Sequence, residues 1–593
     1  MSRTAESAGG NPFQQAEGVE FYYNQIKDDV IDIDGVAFRR MMPLEAPDCN
    51  CKGLDQRQIR YEKGFQYAPN KRVLTETIIC DQDVGIQVGE KKQTIYLDIY
   101  RPDTTEKVPA IICFGYGGKR DTNNKSDHMP HNEGRPIHAN RPLSGLQCWE
   151  GLDPAEWIPF GYAIVNVDPT GVCMSEGNML LFTAEDRQNA YDTIETVAAM
   201  DWCTGKVATA GSSWLAMTQF YYAATNPPHL VCIAPFEAEA DPYRDEYVRG
   251  GIPIVGDSFS LSYRTHGRNY MEYMGKNALD HPFYDAYWQD KQMHHERITI
   301  PAFVVGSYTS PFHTRGTPEG FNRLGSKEKW YRTHNTTEWL DLYSDGYVND
   351  LKKFFDYYLK GIQNNWPETP RVRVGLLNPG GENVVDQPET EYPPARMRPF
   401  NLYLNPADGS MGTEPVDVES SVSYNADEKG CCKFTFRFDK TVEVIGASKL
   451  RLWVEADGND DMDLFVKWAK IYENGERMKS DVEMGYYYGP DGKLRVSHRE
   501  LDEEKSTDLY PVHKHQRRLM LKPGEIVPVD IQIWPTGMII EAGQTVELTV
   551  SSADFIVDRP PNMTIPDNLN KGTHIVHGGG KYDSRLVLQL CER

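Results

Sequence analysis

An α/β sheet covered on both faces by helices, carrying an inserted cap and followed by an all-β sandwich, is the fold this sequence predicts. Three observations lead to it. Between residues 93 and 375 short continuous apolar runs alternate with helical patterns. Residues 241–298 break that rhythm with a Tyr-rich, Gly-punctuated stretch. Beyond residue 376 the apolar residues recur with a period of two between turn clusters.

Taken in order, residues 1–92 read as an N-terminal extension that packs on the sheet. The first part of the α/β unit, 93–240, holds the runs Pro109–Phe114, Tyr162–Asp168, Lys206–Ala210 and Leu230–Pro235, and the second part, 299–375, adds Pro301–Gly306. Such unbroken apolar runs bounded by Gly or Pro suit parallel strands buried on both faces. Ala184–Met200 and Trp214–Ala224 read as helices between them, and Leu351, Phe354, Phe355, Tyr358 and Leu359 fall at i, i+3, i+4, i+7, i+8 of an amphipathic one. The 241–298 insertion has helical character, and an insertion after a strand of such a sheet covers the crevice at the strands' carboxyl ends. Within 376–593, Leu450/Leu452/Val454, Val529/Ile531/Ile533, Val546/Leu548/Val550 and Leu586/Leu588/Leu590 alternate with polar residues. That is the pattern of an antiparallel sandwich or jelly roll.

With 593 residues the chain exceeds a single core, and 39% hydrophobic with 25% charged residues is ordinary for a globular protein. A net charge of −23 repels phosphates, which argues against nucleic acid and anionic membranes as partners. The first residues lack the basic and apolar regions of a secretory signal, and no apolar run is long enough to cross a bilayer. A cytoplasmic, reduced setting is therefore expected. Eleven cysteines are thinly spread, and Cys49-Asn50-Cys51 and Cys431-Cys432 lack zinc spacing, so no metal is expected. Sequons at Asn124, Asn335 and Asn562 read as chance matches without a secretion signal. The acidic run Asp457–Asp463 lacks the glutamate of a calcium loop and reads as a sandwich turn, and no phosphate loop or nicotinamide fingerprint calls for a cofactor.

The stretch from Lys206 to Phe220 carries the most chemistry. A short strand runs into Gly211-Ser212-Ser213 and straight on into a helix, the context of a nucleophile elbow in an α/β-hydrolase fold. Strand and helix approach closely there, so small residues must flank the nucleophile. Gly211 lies two positions before Ser213, whereas Ser212 has bulky Trp214 two positions after it. Ser213 is the candidate nucleophile. Leu215 takes the place of the final glycine of G-x-S-x-G, and a serine capping the following helix is the alternative reading.

Ser213-Trp-Leu-Ala-Met-Thr-Gln-Phe, Asn226-Pro-Pro-His-Leu, Ala240-Asp-Pro-Tyr-Arg-Asp and Gly250-Gly-Ile-Pro resemble the Xaa-Pro dipeptidyl-peptidase/cocaine esterase family of serine hydrolases, as do Gly161–Asp168, Ser175-Glu-Gly177 and Leu494–Arg499. The resemblance implies an α/β-hydrolase domain, a helical cap and a C-terminal jelly roll. It also implies a tyrosine hydroxyl as oxyanion donor, here Tyr116 of Phe114-Gly-Tyr-Gly-Gly-Lys119, beside the backbone N–H of Trp214. A plain turn residue in a Gly-rich loop is the alternative for Tyr116. For the base, His334 ends Lys329-Trp-Tyr-Arg-Thr-His, after the last strand, where such folds and this family place their histidine. The other histidines, His294 and His295 among them, read as surface or structural.

One departure matters. The family's acid follows the strand at Pro301–Gly306 in a Gly-x-Tyr-Asp segment, but this chain reads Gly306-Ser-Tyr-Thr309. Threonine has no charge with which to orient an imidazole, and losing that charge costs about 10⁴-fold in turnover. Glu237, Glu239 or Asp241 after the preceding strand, or Glu338 or Asp341 after His334, are the candidate replacements, and a Ser–His dyad is another solution. The expected activity is cleavage of an ester or amide of a small molecule or short peptide through a Ser213 acyl-enzyme. Acyl transfer or cyclisation by the same serine, and a catalytically silent binding protein, are the competing readings. The residues leave a homo-oligomer open.

Overall fold

The computed structural model describes residues 18–593 except 50, 52, 121–141, 255–264, 311, 337, 479, 483, 484, 488 and 556–568. The sequons at Asn124 and Asn562 lie outside the described residues. Asn335 is committed to structure, since its amide donates to the carbonyls of Leu376 and Val384.

Strands β1 (Val30–Ile33) and β2 (Val36–Arg40) form a hairpin. Then come β3 (Arg57–Tyr61), β4 (Ile78–Val88), β5 (Gln93–Pro102), β6 (Val108–Phe114) and β7 (Ala163–Asp168). They are followed by β8 (Cys203–Ser212), β9 (Leu230–Phe236), β10 (Tyr270–Glu272), β11 (Ala302–Ser307) and β12 (Lys329–His334). Strands β13 (Val372–Leu376) and β14 (Val384–Glu389) end the series. Eleven of them build one sheet in the order β14-β13-β12-β11-β9-β8-β6-β7-β5-β4-β3. The run from β13 to β7 is parallel, and the flanking pairs at both edges are antiparallel.

The apolar runs are strands because both faces are covered: Ile111, Ile112, Ile164, Val165, Val207, Ala208, Ile233 and Val304 are fully buried. Helices Ala184–Ala198, Trp214–Ala223 and Asp345–Tyr358 supply the cover. Each fully buried Val, Leu or Ile contributes about 1.5–3 kcal/mol. The parallel core follows the sequence reading closely, and the edges extend it. Residues 57–88 of the N-terminal extension add two strands to the sheet, and β14 carries it beyond residue 376. Lys329–His334 is itself a strand, with His334 at its end. Its lysine, arginine and threonine disguise it, yet Arg332 is buried because Asp341 receives it bidentately at 2.6 and 2.7 Å.

The inserted segment is less uniformly helical than its composition suggests. Short helices at Tyr243–Tyr247, Met274–Asp280 and Ala286–Asp290 alternate with β10, which pairs with β2 and so ties the cap to the N-terminal hairpin. The C-terminal region is β-rich, and its longest ladder pairs Val442–Val454 with Val527–Ile540 across a register shift between Gly446 and Ser448. The alternating residues named from the sequence are its core: Leu450, Leu452, Ile533, Val546, Leu548, Leu586 and Leu588 are fully buried. The acidic run at its turn is taken up internally, with Asp463 bound by Arg495 at 2.8 Å and Asp461 accepting the Ser497 amide at 2.9 Å. No helix among the described residues is long and apolar enough to cross a membrane.

Two polar clusters hold the units together. The loop after β6 is anchored by Lys119, 1% exposed, whose ammonium binds Asp168 and lies 3.0 Å from Asp83. Arg120 adds bonds of 2.7 Å to Asp98 and 2.9 Å to Asp83. Between cap and β-rich region, Arg249 meets Asp491 at 2.9 Å and lies 3.6 Å over the Trp534 ring. Beside it His498 and His515 approach to 3.0 Å, Phe283 stacks on His498, and Tyr243 meets the edge of His515.

Lys119→Met leaves Asp83 and Asp168 buried without their ammonium, so a loss of about 3–5 kcal/mol is expected, read as an earlier urea transition at neutral pH. Burial also holds several histidines neutral: His513 and His574 are pushed down to about 4, and His295 and His498 to about 3. As pH falls below 6.5 the unfolded chain takes up protons that the folded one refuses, so stability drops from there towards pH 3. Urea midpoints at pH 7.5 and 4.5 measure this, and equal midpoints would contradict it.

Candidate active site

Adjacent strands of the parallel sheet deliver the chemistry. In the order β8-β9-β11-β12, their carboxyl ends present Ser213, Glu237, the loop to His313, and His334. Register fixes the alignment: Ser212 lies opposite Phe236, Phe236 opposite Val305, and Ser307 opposite His334.

Ser213 sits at φ 57°, ψ −119°, a strained geometry for a residue with a side chain, and its hydroxyl makes no capping bond to the following helix. The capping alternative therefore does not describe it. The Ser213 amide instead donates to the carbonyls of Phe236 and Glu237, both at 3.0 Å, which holds the turn. Gly211, at φ 127°, is required, since a Cβ there would come within 2.7 Å of the Leu215 Cβ. Leu215 thus occupies the space that Gly211 leaves, which is how the elbow tolerates leucine in place of its last glycine. Ser212 is fully buried and spent on the Phe236 carbonyl and on Glu338.

The histidine that meets Ser213 is His313: its Nε2 lies 3.1 Å from the Ser213 Oγ. His334, the residue expected there from the sequence, is turned instead to Glu237, with Nε2 2.8 Å from Oε1. His313 opens the helix His313–Arg323, whose start is fixed by the Ser310 hydroxyl accepting the His313 amide at 3.2 Å. Gly316 lets that helix press against the segment after β9, where a Cβ would lie 2.4 Å from the Glu239 Cα. Thr317 bonds both the amide and the carbonyl of Ala238, at 2.8 and 3.0 Å, and Arg315 binds Asp245 of the cap and Gln532 of the β-rich region. Sequence reasoning passed over His313 because it sought the base after the later strand. The available signal was a histidine four residues beyond Thr309, where an acid was missing.

Burial pushes His313 down to about 4, and the charge of Glu237 opposes that shift, so the imidazole is neutral at pH 7 and able to accept a proton. Of the five carboxylates considered, Glu237 is fully buried among these groups. Burial and the charges of Glu246 and Asp245 push Glu239 well above the usual range, whereas Asp241 pairs with Arg244 at 2.7 Å. Glu338 serves Ser212, and Asp341 serves Arg332. Thr309 donates to the Thr336 carbonyl at 3.2 Å.

Tyr116 is buried with its ring 5.8 Å from that of Trp214, which in turn packs on Phe182 at 4.7 Å. The Trp214 amide lies in the first turn of its helix, where N–H groups have no acceptor within the helix. As for metals, Cys51, Asp168 and Cys173 gather within 4.8 Å of one another, but the Lys119 ammonium is already seated on Asp168.

Residues 92–271 match the family described as X-Pro dipeptidyl-peptidase (S15 family), and residues 364–587 match the X-Pro dipeptidyl-peptidase C-terminal non-catalytic domain. Cocaine esterase of Rhodococcus sp. (strain MB1 Bresler) is 22% identical over 84% of this chain and 96% of its own length. Xaa-Pro dipeptidyl-peptidase of Lactobacillus helveticus (strain DPC 4571) is also 22% identical, over 47% of this chain and 40% of that protein. A CocE/NonD family hydrolase from Staphylococcus aureus, of known crystal structure, is 30% identical, covers 87% of this chain and 94% of its own, and superposes with a TM-score of 0.80. With its α/β-hydrolase sheet and β-rich C-terminal region, this chain belongs to the Xaa-Pro dipeptidyl-peptidase/cocaine esterase family and is a serine hydrolase.

Proposed function

We propose that the enzyme cleaves an ester or amide of a small molecule or short peptide through an acyl-enzyme on Ser213, with His313 as the base. The observation that carries this is the 3.1 Å approach of a buried neutral imidazole to a serine on a strained elbow. Ser213 Oγ bonds to the substrate carbonyl carbon while its proton passes to His313 Nε2. The carbonyl oxygen, now an oxyanion, is received by the Trp214 N–H and the Tyr116 hydroxyl. As the C–O or C–N bond breaks, His313 returns the proton to the leaving alcohol or amine. Water then repeats the cycle on the acyl-enzyme and restores the Ser213 hydroxyl. Glu237 is the buried carboxylate whose charge favours the imidazolium of His313, the role that Thr309 cannot fill.

Support for a small substrate comes from the relatives, a cocaine esterase and an Xaa-Pro dipeptidyl-peptidase. A silent binding protein has no need to hold Ser213 and His313 at bonding distance. Acyl transfer shares every group named here, and water is preferred as acceptor because the named relatives are hydrolases.

Labelling by a fluorescent fluorophosphonate tests the assignment. Ser213→Ala is expected to abolish it, His313→Ala to slow it at least about 10³-fold, and Glu237→Gln to lower kcat on an aryl acetate by about 10⁴-fold. Undiminished labelling of the His313 variant would overturn the base. Because His313 must be neutral to work, the acid limb of kcat/KM is expected near pH 4 instead of the ordinary 6.5, as measured with an acetate ester between pH 3.5 and 8.

A further inference from the structure

The nucleophile's backbone, at φ 57° and ψ −119°, lies in a region that persists only where the surroundings over-determine it. Part of that restraint comes from the sheet, through the Ser213 amide and the carbonyls of Phe236 and Glu237. The rest is applied one residue earlier, at Ser212, which is fully buried. Its amide donates to the Glu150 carbonyl at 3.1 Å. Its hydroxyl lies 3.0 Å from the Phe236 carbonyl oxygen and bonds Glu338 Oε1. The acyl-enzyme chemistry itself makes no use of this hydroxyl.

Glu338 opens a short helix, Glu338–Leu342, that follows β12. Three side chains from this helix and the residue after it reach the elbow or its support. Glu338, 1% exposed, bonds the Ser212 hydroxyl. Trp339 donates its indole N–H to Glu150 Oε1 at 3.1 Å, and so steadies the residue whose carbonyl receives the Ser212 amide. Tyr343 donates its hydroxyl to the Gly151 carbonyl at 3.0 Å. Glu150 needs such support, because it sits at φ 62°, a conformation that residues with side chains seldom adopt. The Cβ that Gly211 lacks would lie 3.2 Å from the Glu150 carbonyl oxygen, so this loop is pressed onto the end of β8.

We propose that Glu338 and Trp339 are positioning residues that clamp the nucleophile elbow. Acting through Ser212 and Glu150, they hold the peptide that leads into Ser213 and so fix where its Oγ stands relative to His313. The proposal rests on Ser213 and His313 being nucleophile and base. It gives Ser212 a task as well: its hydroxyl ties the elbow to a segment 126 residues further along the chain. A misplacement of about 1 Å in a catalytic group costs about 10²-fold in rate, so a clamp that suppresses part of such a displacement is read in turnover. Glutamine at position 338 can still bond the Ser212 hydroxyl, through its carbonyl oxygen or its amide, whereas leucine cannot.

The test measures kcat and KM on an aryl acetate, with active sites counted by fluorophosphonate titration carried to completion so that unfolded protein does not contribute. Glu338→Leu and Ser212→Ala are each expected to lower kcat per site at least about 10-fold with KM unchanged, and Glu338→Gln to recover most of that loss. Because both residues act through one bond, the double variant Ser212→Ala/Glu338→Leu is expected to be no slower than the slower single variant. Wild-type kcat per site in Glu338→Leu would overturn the proposal, as would losses that multiply in the double variant or a Gln variant no better than Leu. Should Glu338→Leu fail to fold, Ser212→Ala and Trp339→Phe decide the question. A lowered kcat per site in both supports the proposal, and a wild-type value in either overturns it. Failure of the underlying reading looks different: Ser213→Ala or His313→Ala would then label like wild type, whatever the variants at 212 and 338 do.

Discussion

The amide of Ser213 donates to the carbonyls of Phe236 and Glu237, and most of the site depends on that contact. It forces the nucleophile into a left-handed turn and joins the end of β8 to the end of β9. Glu237 is thereby placed beside the serine's own strand, and β11, the next neighbour, brings His313 across from the other side. A parallel sheet makes this convergence available because all its strands end on one face. Which strand supplies which group is then a matter of arm length and of donors to hold each arm in place.

Buried charge is the second constraint, and it is handled by pairing. Lys119 with Asp168 and Asp83, Arg332 with Asp341, and Arg315 with Asp245 are each almost removed from water. Such pairs add little net stability over apolar packing, but breaking one is expensive. Each here fixes a segment that matters to the site: the loop bearing Tyr116, the strand ending in His334, and the helix that begins at His313.

The parallel core was legible in the sequence because its strands are unbroken apolar runs, and the β-rich region because Leu450, Leu548 and Leu586 keep strict alternation. The elbow was legible from Gly211 and Ser213. Strand β12 was not, since Lys329, Arg332 and Thr333 hide their burial behind partners distant in the chain. His313 escaped for a related reason. Nothing local distinguishes His-Thr-Arg-Gly from a surface helix, and only the approach of Gly316 to Glu239 shows that the helix is driven into the sheet. Among the five carboxylates, Glu237 was separable from Glu239 and Asp241 only by knowing where the chain turns after Phe236.

The helix that starts with His313 carries Arg315, and Arg315 grips both the cap and Gln532. Of its two partners, Asp245 lies close to the serine in the sequence, whereas Gln532 follows Ser213 by about three hundred residues. Through Thr317 and Arg315, Ala238 and Asp245 hold that helix from within the first half of the chain, and Gln532 adds a grip from the last region. The base is thus steadied at one end by a region more than two hundred residues further along the chain, so the β-rich region that is remote in sequence is a direct neighbour of the catalytic helix.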